Sequence, residues 1–369
     1  MSIKKLTIQQ FIDLAEYLPV IDVRSPGEYD HAQIPGAYSL PLFNDEERKI
    51  VGTAYKQQGK QIAIKLGLDF FGVKMKGMVE EAEKVVKNYE VRVKSEGASN
   101  TKNPTNNSAL ITHNSVLVHC WRGGMRSAGV AWLLELYGFE VYTLIGGYKT
   151  YRNWVLKQFE KDHSLTIIGG YTGSDKTGLI EELEKKNHAV INLEQLANHK
   201  GSAFGDMGKQ PTQEMFENML AEKIYKHQYS AANIWLEDES QRIGQLSIPH
   251  HFWKTMRNKP VCFIDIPFDQ RLDFIISTYG KIDKEKLINS ILRIQKRLGP
   301  LETKTALGLL IENNLKGCFE ILLNYYDKSY RKGLHNRENT EMLVNKISCP
   351  FVDAITNTEK LLSCATVNV

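Results

Sequence analysis

Apolar and polar positions in the first part of the chain follow the pattern of an α/β protein. Short apolar runs predict four strands, over residues 18–24, 37–42, 115–120 and 140–147. Residues 126–138 predict a helix that ends at Gly138. Strand, helix and strand in this order form the unit of a parallel sheet. Residues 44–94 have apolar positions at helical spacing and predict a helical insertion, and the Ser/Asn/Thr-rich stretch 95–115 predicts an exposed, flexible loop.

The second part of the chain repeats this organisation. A helical connector is predicted over residues 148–163. Strands are predicted after it, over residues 164–170, 189–194, 233–238 and 260–268. Residues 283–330 predict helices, and the remaining tail has no clear pattern. We therefore expect two α/β domains, over residues 1–147 and 164–369.

Composition fits this division and excludes several classes of protein. The chain has 369 residues, 42% hydrophobic and 24% charged, which is enough for two domains with cores of their own. No apolar run approaches the ~20 residues of a membrane span, and the N-terminus lacks the apolar core of a signal peptide, so we expect a cytoplasmic protein. The five cysteines form no CxxC pair and the ten histidines no HExxH motif, so neither a disulfide framework nor a metal site is predicted.

Positive charge is concentrated in one region. The net charge is only +4, but residues 281–332 contain eleven Lys or Arg against six Asp or Glu. This region is either a solvated helical face or a patch that meets an anionic polymer.

One segment, HCWRGGMRS at residues 119–127, places a cysteine among glycines and arginines at the end of a predicted strand. The thiolate is the reactive form of cysteine, and it is favoured by nearby cations and by a helix N-terminus. Backbone N–H groups of a glycine-rich turn converge on one point, as an oxyanion requires. The candidate catalytic residue is Cys120, and the candidate anion-binding residues are Arg122, Gly123, Gly124, Met125, Arg126 and Ser127.

Two chemistries use such a loop: cleavage of a phosphate ester and transfer of a sulfur-like atom. The spacing Cys-x5-Arg-Ser is that of the cysteine phosphatases. The segment also resembles the active loop of rhodanese-like domains, and residues 20–41, VIDVRSPGEYDHAQIPGAYSLP, are similar to the rhodanese D-V-R, E-Y and I-P-G-A blocks. Loop length alone favours phosphatase chemistry, although the sequence identifies no general acid for the leaving group.

A second segment, GGYTGSDKT at residues 169–177, follows a predicted strand and precedes a helix, as a phosphate-binding P-loop does. Asp175 stands where the pattern G-x-x-x-x-G-K-[ST] has glycine. A carboxylate ~4 Å from a phosphate costs roughly 4 kcal/mol at an effective dielectric of 20, so we expect Asp175 to weaken anion binding. The candidate diphosphate-binding residues are Gly170, Thr172, Gly173, Ser174, Asp175, Lys176 and Thr177.

A third segment resembles a Walker B strand. The apolar run that begins at residue 233 ends in Glu237, Asp238 and Glu239, whose carboxylates are candidates to hold Mg²⁺ near the phosphates. The alternative is an acidic strand end that caps the next element. No tightly bound cofactor is predicted.

Together these segments resemble one family, the tRNA 2-selenouridine synthases. Besides the cysteine segment and the P-loop, the resemblance rests on three blocks, residues 41–70, 193–220 and 235–244. It covers nearly the whole chain, except the tail beyond about residue 335. It implies an N-terminal rhodanese-like parallel-sheet domain and a C-terminal P-loop NTPase-like α/β domain with a helical, basic C-terminal region.

The resemblance also implies a two-step reaction on 2-thiouridine at the wobble position of tRNA anticodons. The sulfur is first alkylated with a geranyl group from geranyl diphosphate, and selenium from selenophosphate then replaces the geranylated sulfur. Cys120 would act in the selenium step, in a loop enlarged to fit tetrahedral selenophosphate. The P-loop would hold the diphosphate, with Lys176 on the leaving group.

The implied partners are tRNA, through its anticodon region, and an enzyme that supplies selenophosphate. The candidate tRNA contacts are His199, Lys200, Arg242, Arg293 and Arg297. Two alternatives stay open: a cysteine phosphatase with an appended P-loop domain, and a tRNA-binding protein in which Asp175 impairs prenyl transfer.

Overall fold

The computed structural model of the chain describes residues 3–95, 114–200, 208–230, 233–280, 282–337 and 340–366. The chain forms two compact units, Met1–Lys157 and Gln158–Val369. The loop expected over residues 95–115 lies, except at its ends, outside the described residues, as do residues 201–207. No helix of the described part is long and apolar enough to cross a membrane.

The first unit is built on a five-stranded sheet in which every pairing is parallel, in the order β1-β5-β4-β2-β3. The strands are β1 (Lys4–Leu6), β2 (Val20–Asp22), β3 (Tyr38–Ser39), β4 (Ser115–His119) and β5 (Glu140–Leu144). The helices are α1 (Ile8–Ala15), α2 (Pro26–His31), α3 (Asp45–Gln57), α4 (Lys60–Gly72), α5 (Met75–Ser95), α6 (Met125–Tyr137) and α7 (Gly147–Gln158).

The central strands of this sheet are buried along their whole length. Every residue of β2 and of β4 is buried. Helices on both faces of a parallel sheet exclude water from both sides of a strand, which explains why these strands are continuous apolar runs rather than alternating ones. Helix α6 ends at Gly138, whose φ of 117° lies in the left-handed region that glycine adopts freely. The helix end predicted at Gly138 is therefore confirmed.

The second unit contains another five-stranded parallel sheet, in the order β12-β11-β6-β8-β7, and a short antiparallel pair, β9-β10. The strands are β6 (Leu165–Gly170), β7 (Val190–Ile191), β8 (Ile234–Glu237), β9 (Arg242–Ile243), β10 (Leu246–Ser247), β11 (Val261–Asp265) and β12 (Val344–Ser348). The helices are α8 (Lys176–Lys185), α9 (Leu193–Ala197), α10 (Gln213–Ser230), α11 (His250–Arg257), α12 (Phe268–Tyr279), α13 (Lys284–Leu298), α14 (Pro300–Ile311), α15 (Leu315–His335), α16 (Thr340–Leu343) and α17 (Ala354–Thr366).

The predicted α/β class with parallel sheets is confirmed, but some element bounds differ. The strand expected over residues 140–147 ends at Leu144, because Gly146 and Gly147 both have positive φ and begin a turn. The strand expected over 260–268 ends at Asp265, because Pro267 precedes the first residue of α12. A helix, α7, lies where the connector 148–163 was expected, and the units divide after Lys157.

The tail contains a strand that the sequence pattern did not indicate. Strand β12 pairs in parallel with β11 at the edge of the second sheet. Its residues are half-buried or exposed, so the segment has no continuous apolar run to reveal it. Helix α17 follows and packs on α8 and β11.

Candidate functional sites

Cys120 lies at the carboxyl end of a central strand of the first sheet, the position where open α/β sheets bind ligands. Its side chain is buried, and its Sγ is 3.2 Å from the Oγ of Ser127. The Ser127 hydroxyl donates to the carbonyl of Gly124, 3.1 Å away, in the first turn of α6. The thiol therefore lies at the N-terminus of α6, the end of a helix that carries partial positive charge.

The start of helix α7, which follows β5, is hydrogen-bonded to the cysteine loop. The backbone N–H of Tyr148 donates to the carbonyl of Cys120 at 2.8 Å, and that of Lys149 donates to the carbonyl of Trp121 at 3.0 Å. Gly123 and Gly147 face each other with φ near 60°, and a Cβ on Gly147 would lie 2.3 Å from the Cys120 carbonyl oxygen. Only glycine leaves room for this approach. The contact fixes the loop on which an anion would bind.

The two arginines of the cysteine loop have different surroundings. The Arg126 guanidinium donates to Glu28 at 2.7 Å, and Glu28 also accepts from the backbone N–H of Ser25 at 3.1 Å. Burial opposes ionisation of Glu28, but the hydrogen bond and charge of Arg126 lower its pKa below the ordinary value. Arg126 is thus held by a carboxylate, whereas the Arg122 side chain is exposed at the surface of the loop.

Buried polar groups connect the D-V-R block to the cysteine loop. Asp22 and Arg24 form a fully buried ion pair, and the Arg24 guanidinium lies 3.8 Å from the centroid of the Tyr148 ring. The Trp121 ring also packs on Tyr148, with the two ring centroids 5.6 Å apart. Burial lowers the pKa of His119, so its ring is neutral at pH 7. The conformation of the loop therefore depends on residues about a hundred positions earlier.

In the second unit, the segment 169–177 forms a strand, a loop and a helix N-terminus, as the P-loop pattern predicts. Asp175 is the N-cap of α8, with φ 55° in the left-handed region. Its Oδ1 accepts from the backbone N–H of Gly178 at 3.2 Å. Burial raises the pKa of Asp175, and the nearby Glu181 raises it further, while the bond from Gly178 opposes the shift. The aspartate thus has a left-handed conformation at the position where the pattern has glycine, and its own side chain accepts from one helix N–H group.

The other P-loop side chains bond within the unit. The Lys176 ammonium donates to the carbonyl of Gly170 at 2.9 Å, and the Thr177 hydroxyl donates to Glu194 at 3.3 Å. Ser174 is buried and donates to the carbonyl of Tyr171 at 2.7 Å. Lys176 therefore lies folded back onto the loop, where a bound diphosphate would compete for its ammonium group.

Two side chains from distant positions in the sequence form hydrogen bonds with the backbone of the P-loop. Arg271 is 3% exposed and donates to the carbonyl of Thr172 at 2.9 Å and to both carboxylate oxygens of Asp327. Tyr330 accepts from the backbone N–H of Gly170 at 3.2 Å and donates to Asp238 at 2.7 Å. Sequence reasoning missed Arg271, Tyr330 and the Asp327 that accepts from Arg271, because each is nearly a hundred residues or more from the loop and belongs to no local pattern.

The three carboxylates of the Walker-B-like segment differ in their partners and burial. Glu237 is buried and accepts from the backbone N–H of Glu194 at 2.8 Å, and burial raises its pKa to about 8. Asp238 bonds to Tyr330 and Arg337. Burial, followed by the charge of Glu194, raises the pKa of Glu239 well above its usual range. Among the described residues, no group of three or more His, Cys, Asp or Glu is arranged to hold a metal ion.

A cavity of about 1830 Å³ in the second unit joins these elements. Residues 172–178 of the P-loop line it, as do Asp238 and Glu239. Aromatic side chains form part of the wall, among them Phe274, Tyr279 and Tyr325. All five candidate tRNA contacts also line it: His199, Lys200, Arg242, Arg293 and Arg297. These five residues lie up to about 120 positions from the P-loop in the sequence and share one space with it.

Comparison with known proteins agrees with these features. A family model described as the tRNA 2-selenouridine synthase AAA domain matches residues 163–349. The tRNA 2-selenouridine synthase of Bdellovibrio bacteriovorus is 33% identical, over 92% of this chain and 95% of its own length. Those of Sulfurovum sp. and Shewanella frigidimarina are each 34% identical, over 85% and 88% of this chain and 87% and 91% of their own lengths.

Proposed function

This chain belongs to the tRNA 2-selenouridine synthase family, and from this premise we propose that it is a transferase that converts wobble 2-thiouridine of tRNA to 2-selenouridine in two steps. In the first, the sulfur attacks C1 of geranyl diphosphate, the C1–O bond breaks, diphosphate leaves with the electron pair, and the base loses its N3 proton. In the second, selenium from selenophosphate bonds to C2 of the base, the C2–S bond breaks, and geranyl thiol leaves. The Cys120 thiolate then attacks phosphorus, the P–Se bond breaks, the base regains its N3 proton, and water releases phosphate from Cys120.

The observation that carries the proposal is the cavity in which the P-loop meets five basic residues. An anionic polymer and an anionic small substrate both need positive charge, and here the two sets of cationic groups line the same space. The Lys and Arg side chains would position the tRNA through its phosphates, and the aromatic wall offers surfaces on which an unstacked base can stack. The sulfur of the base would then lie near the diphosphate ester.

The P-loop would bind the diphosphate through the N-terminus of α8 and through Lys176, which would exchange the Gly170 carbonyl for a phosphate oxygen. Charge on the leaving diphosphate grows as the C1–O bond breaks, so a cation placed there stabilises the transition state. Mg²⁺ would fit this site only if phosphate oxygens of the substrate completed its coordination. It commonly takes one or two protein oxygens together with phosphate oxygens, and Glu239 and Thr177 line the cavity beside the loop.

The Cys120 loop would serve the selenium step in a rhodanese-like first unit. Arg122 is exposed on the loop, and the N-terminus of α6 supplies backbone N–H groups, so both can meet a tetrahedral anion. Arg126, held by Glu28, would contribute positive charge at fixed geometry. A selenophosphate-supplying enzyme is the expected partner for this unit.

A cysteine phosphatase is the second candidate, because the Cys-x5-Arg-Ser loop places the Ser127 hydroxyl 3.2 Å from the Cys120 sulfur. One pair of assays separates the candidates. Wild-type protein should incorporate selenium into thiolated tRNA when given geranyl diphosphate and selenophosphate. Rapid, Cys120-dependent release of phosphate from an aryl phosphate, without tRNA modification, would support the phosphatase instead.

A further inference from the structure

We infer that an apolar crevice between α12 and α15, beside the P-loop, receives the end of the prenyl chain and limits its length. The inference rests on the proposed prenyl transfer and adds the residues that select the chain. The crevice has a volume of about 20 Å³, and Ile275, Phe319, Leu322 and Leu323 form its apolar wall.

The crevice adjoins the P-loop cavity. Thr172, Tyr279 and Tyr326 line both spaces. Helix α12 packs directly on the loop, since a Cβ on Gly173 would lie 2.9 Å from the Ile275 side chain. A diphosphate on the P-loop therefore has an apolar recess beside it.

The wall of the crevice selects a chemical class of substrate. Within the part of the chain that the structure describes, no charged side chain lines the crevice. A nucleoside carried on the diphosphate would need polar partners for its ribose and base, and burying those groups without partners is costly. An alkyl chain needs none and gains free energy from burial, about 0.8 kcal/mol per CH₂. The crevice thus favours the end of an aliphatic chain over a polar group.

The size of the crevice limits the length of the chain. A space of about 20 Å³ holds roughly one water-sized group, so only the terminal carbon atoms of a chain enter it. Phe319 and Leu323 are 2% and 1% exposed and belong to the packed helical core, so they cannot move aside easily. A chain one isoprene unit longer would displace them. Geranyl is accommodated on this account, and farnesyl is excluded by Leu323 and Phe319.

Enlarging the crevice should therefore relax the selection. We would give wild-type protein and Leu323→Ala an equimolar mixture of geranyl and farnesyl diphosphate with thiolated tRNA, and measure the ratio of farnesylated to geranylated nucleoside by mass spectrometry. We expect Leu323→Ala to raise this ratio about tenfold, at the lower end of what a hydrophobic pocket discriminates. The matched control is Leu310→Ala, which removes the same atoms from an equally buried site in the same helical core, away from the crevice, and should leave the ratio unchanged.

The ratio is internal to each preparation, so partial loss of folded protein does not change it. If Leu323→Ala does not fold, Phe319→Leu tests the same wall with a smaller change and should shift the ratio in the same direction. Equal ratios in the crevice variants and in Leu310→Ala would overturn the inference while the proposed function stands. A wild-type protein that transfers no prenyl group, or that binds ADP in place of geranyl diphosphate, would contradict both.

Discussion

The Asp175 carboxylate accepts a hydrogen bond from the backbone N–H of Gly178, 3.2 Å away, and so caps helix α8 inside the phosphate loop. An N–H group at the helix start that could point at a phosphate is thereby bound to a side chain of the protein. Burial raises the pKa of this carboxyl, which shows that the site disfavours its charge. The same group therefore caps the helix, and we expect it to oppose an anionic ligand.

Replacing Asp175 should strengthen diphosphate binding. Asp175→Asn removes the charge but keeps a side chain that caps helices and tolerates the left-handed region, and Asp175→Gly also removes the side chain. We expect both variants to bind geranyl diphosphate about 1–2 kcal/mol more tightly, since repulsion across the site is lost. Isothermal titration calorimetry measures this directly. Equal affinity in all three proteins would show that Asp175 does not repel the ligand.

Cys120→Ser should separate the two steps of the reaction. The hydroxyl is a much weaker nucleophile than the thiolate, so selenium incorporation should be lost while the geranylated nucleoside accumulates. Cys318→Ser is the control, because it makes the same substitution at a buried cysteine in the other unit. Loss of geranylation in Cys120→Ser, but not in Cys318→Ser, would mean that the two activities are not separable.

Gly147→Ala should disable the cysteine loop without touching its sequence. The added Cβ would meet the Cys120 carbonyl oxygen at 2.3 Å and the Gly123 nitrogen at 2.5 Å, and φ 60° is strained for alanine. We expect selenium incorporation to fall at least tenfold, since small displacements of reacting groups have effects of this size or larger. Gly129→Ala, in α6 with its nearest neighbour at an ordinary 3.8 Å, should be neutral. Equal activity of both variants would show that the contact does not hold the loop.

Glu237 should make stability depend on pH. Its pKa is about 8 in the folded protein against an ordinary value of 4.5, so between these values the folded state binds a proton that the unfolded state does not. The contribution of Glu237 to the free energy of unfolding is therefore complete below pH 4.5. It is lost as the pH rises from there to about 8, by up to about 1.4 kcal/mol per pH unit. Glu237→Gln keeps the oxygen that accepts from Glu194 and should remove this slope. Denaturant unfolding of both proteins from pH 5 to 9 tests it, and parallel curves would contradict it.

The sequence pattern predicted those elements whose conformation depends on residues adjacent in the chain. The buried strands, the glycine that ends α6 and the strand-loop-helix context of residues 169–177 all follow from apolar runs and glycine positions. The sequence could not show which side chains the fold brings to those loops. Arg271 and Tyr330 reach the P-loop from helices 99 and 160 residues away, and Asp327 accepts from Arg271. Only the packing of α12 and α15 puts them there.

The cysteine loop shows the same limit. The pattern predicts Gly123 and Gly124 as turn residues, but it places Gly147 at the end of a strand. Its role arises from the approach of two backbones, which depends on how β4 and β5 pair. The pairing of Arg126 with Glu28 likewise joins two motifs that sequence reasoning treated separately.

The most direct test of the account is mass spectrometry of tRNA nucleosides after incubation of wild-type protein with thiolated tRNA. With geranyl diphosphate alone, the geranylated nucleoside should accumulate. When selenophosphate is added, that nucleoside should disappear and 2-selenouridine should form in equal amount. Formation of 2-selenouridine without geranyl diphosphate, or no change to the tRNA under either condition, would contradict the proposed two-step transfer.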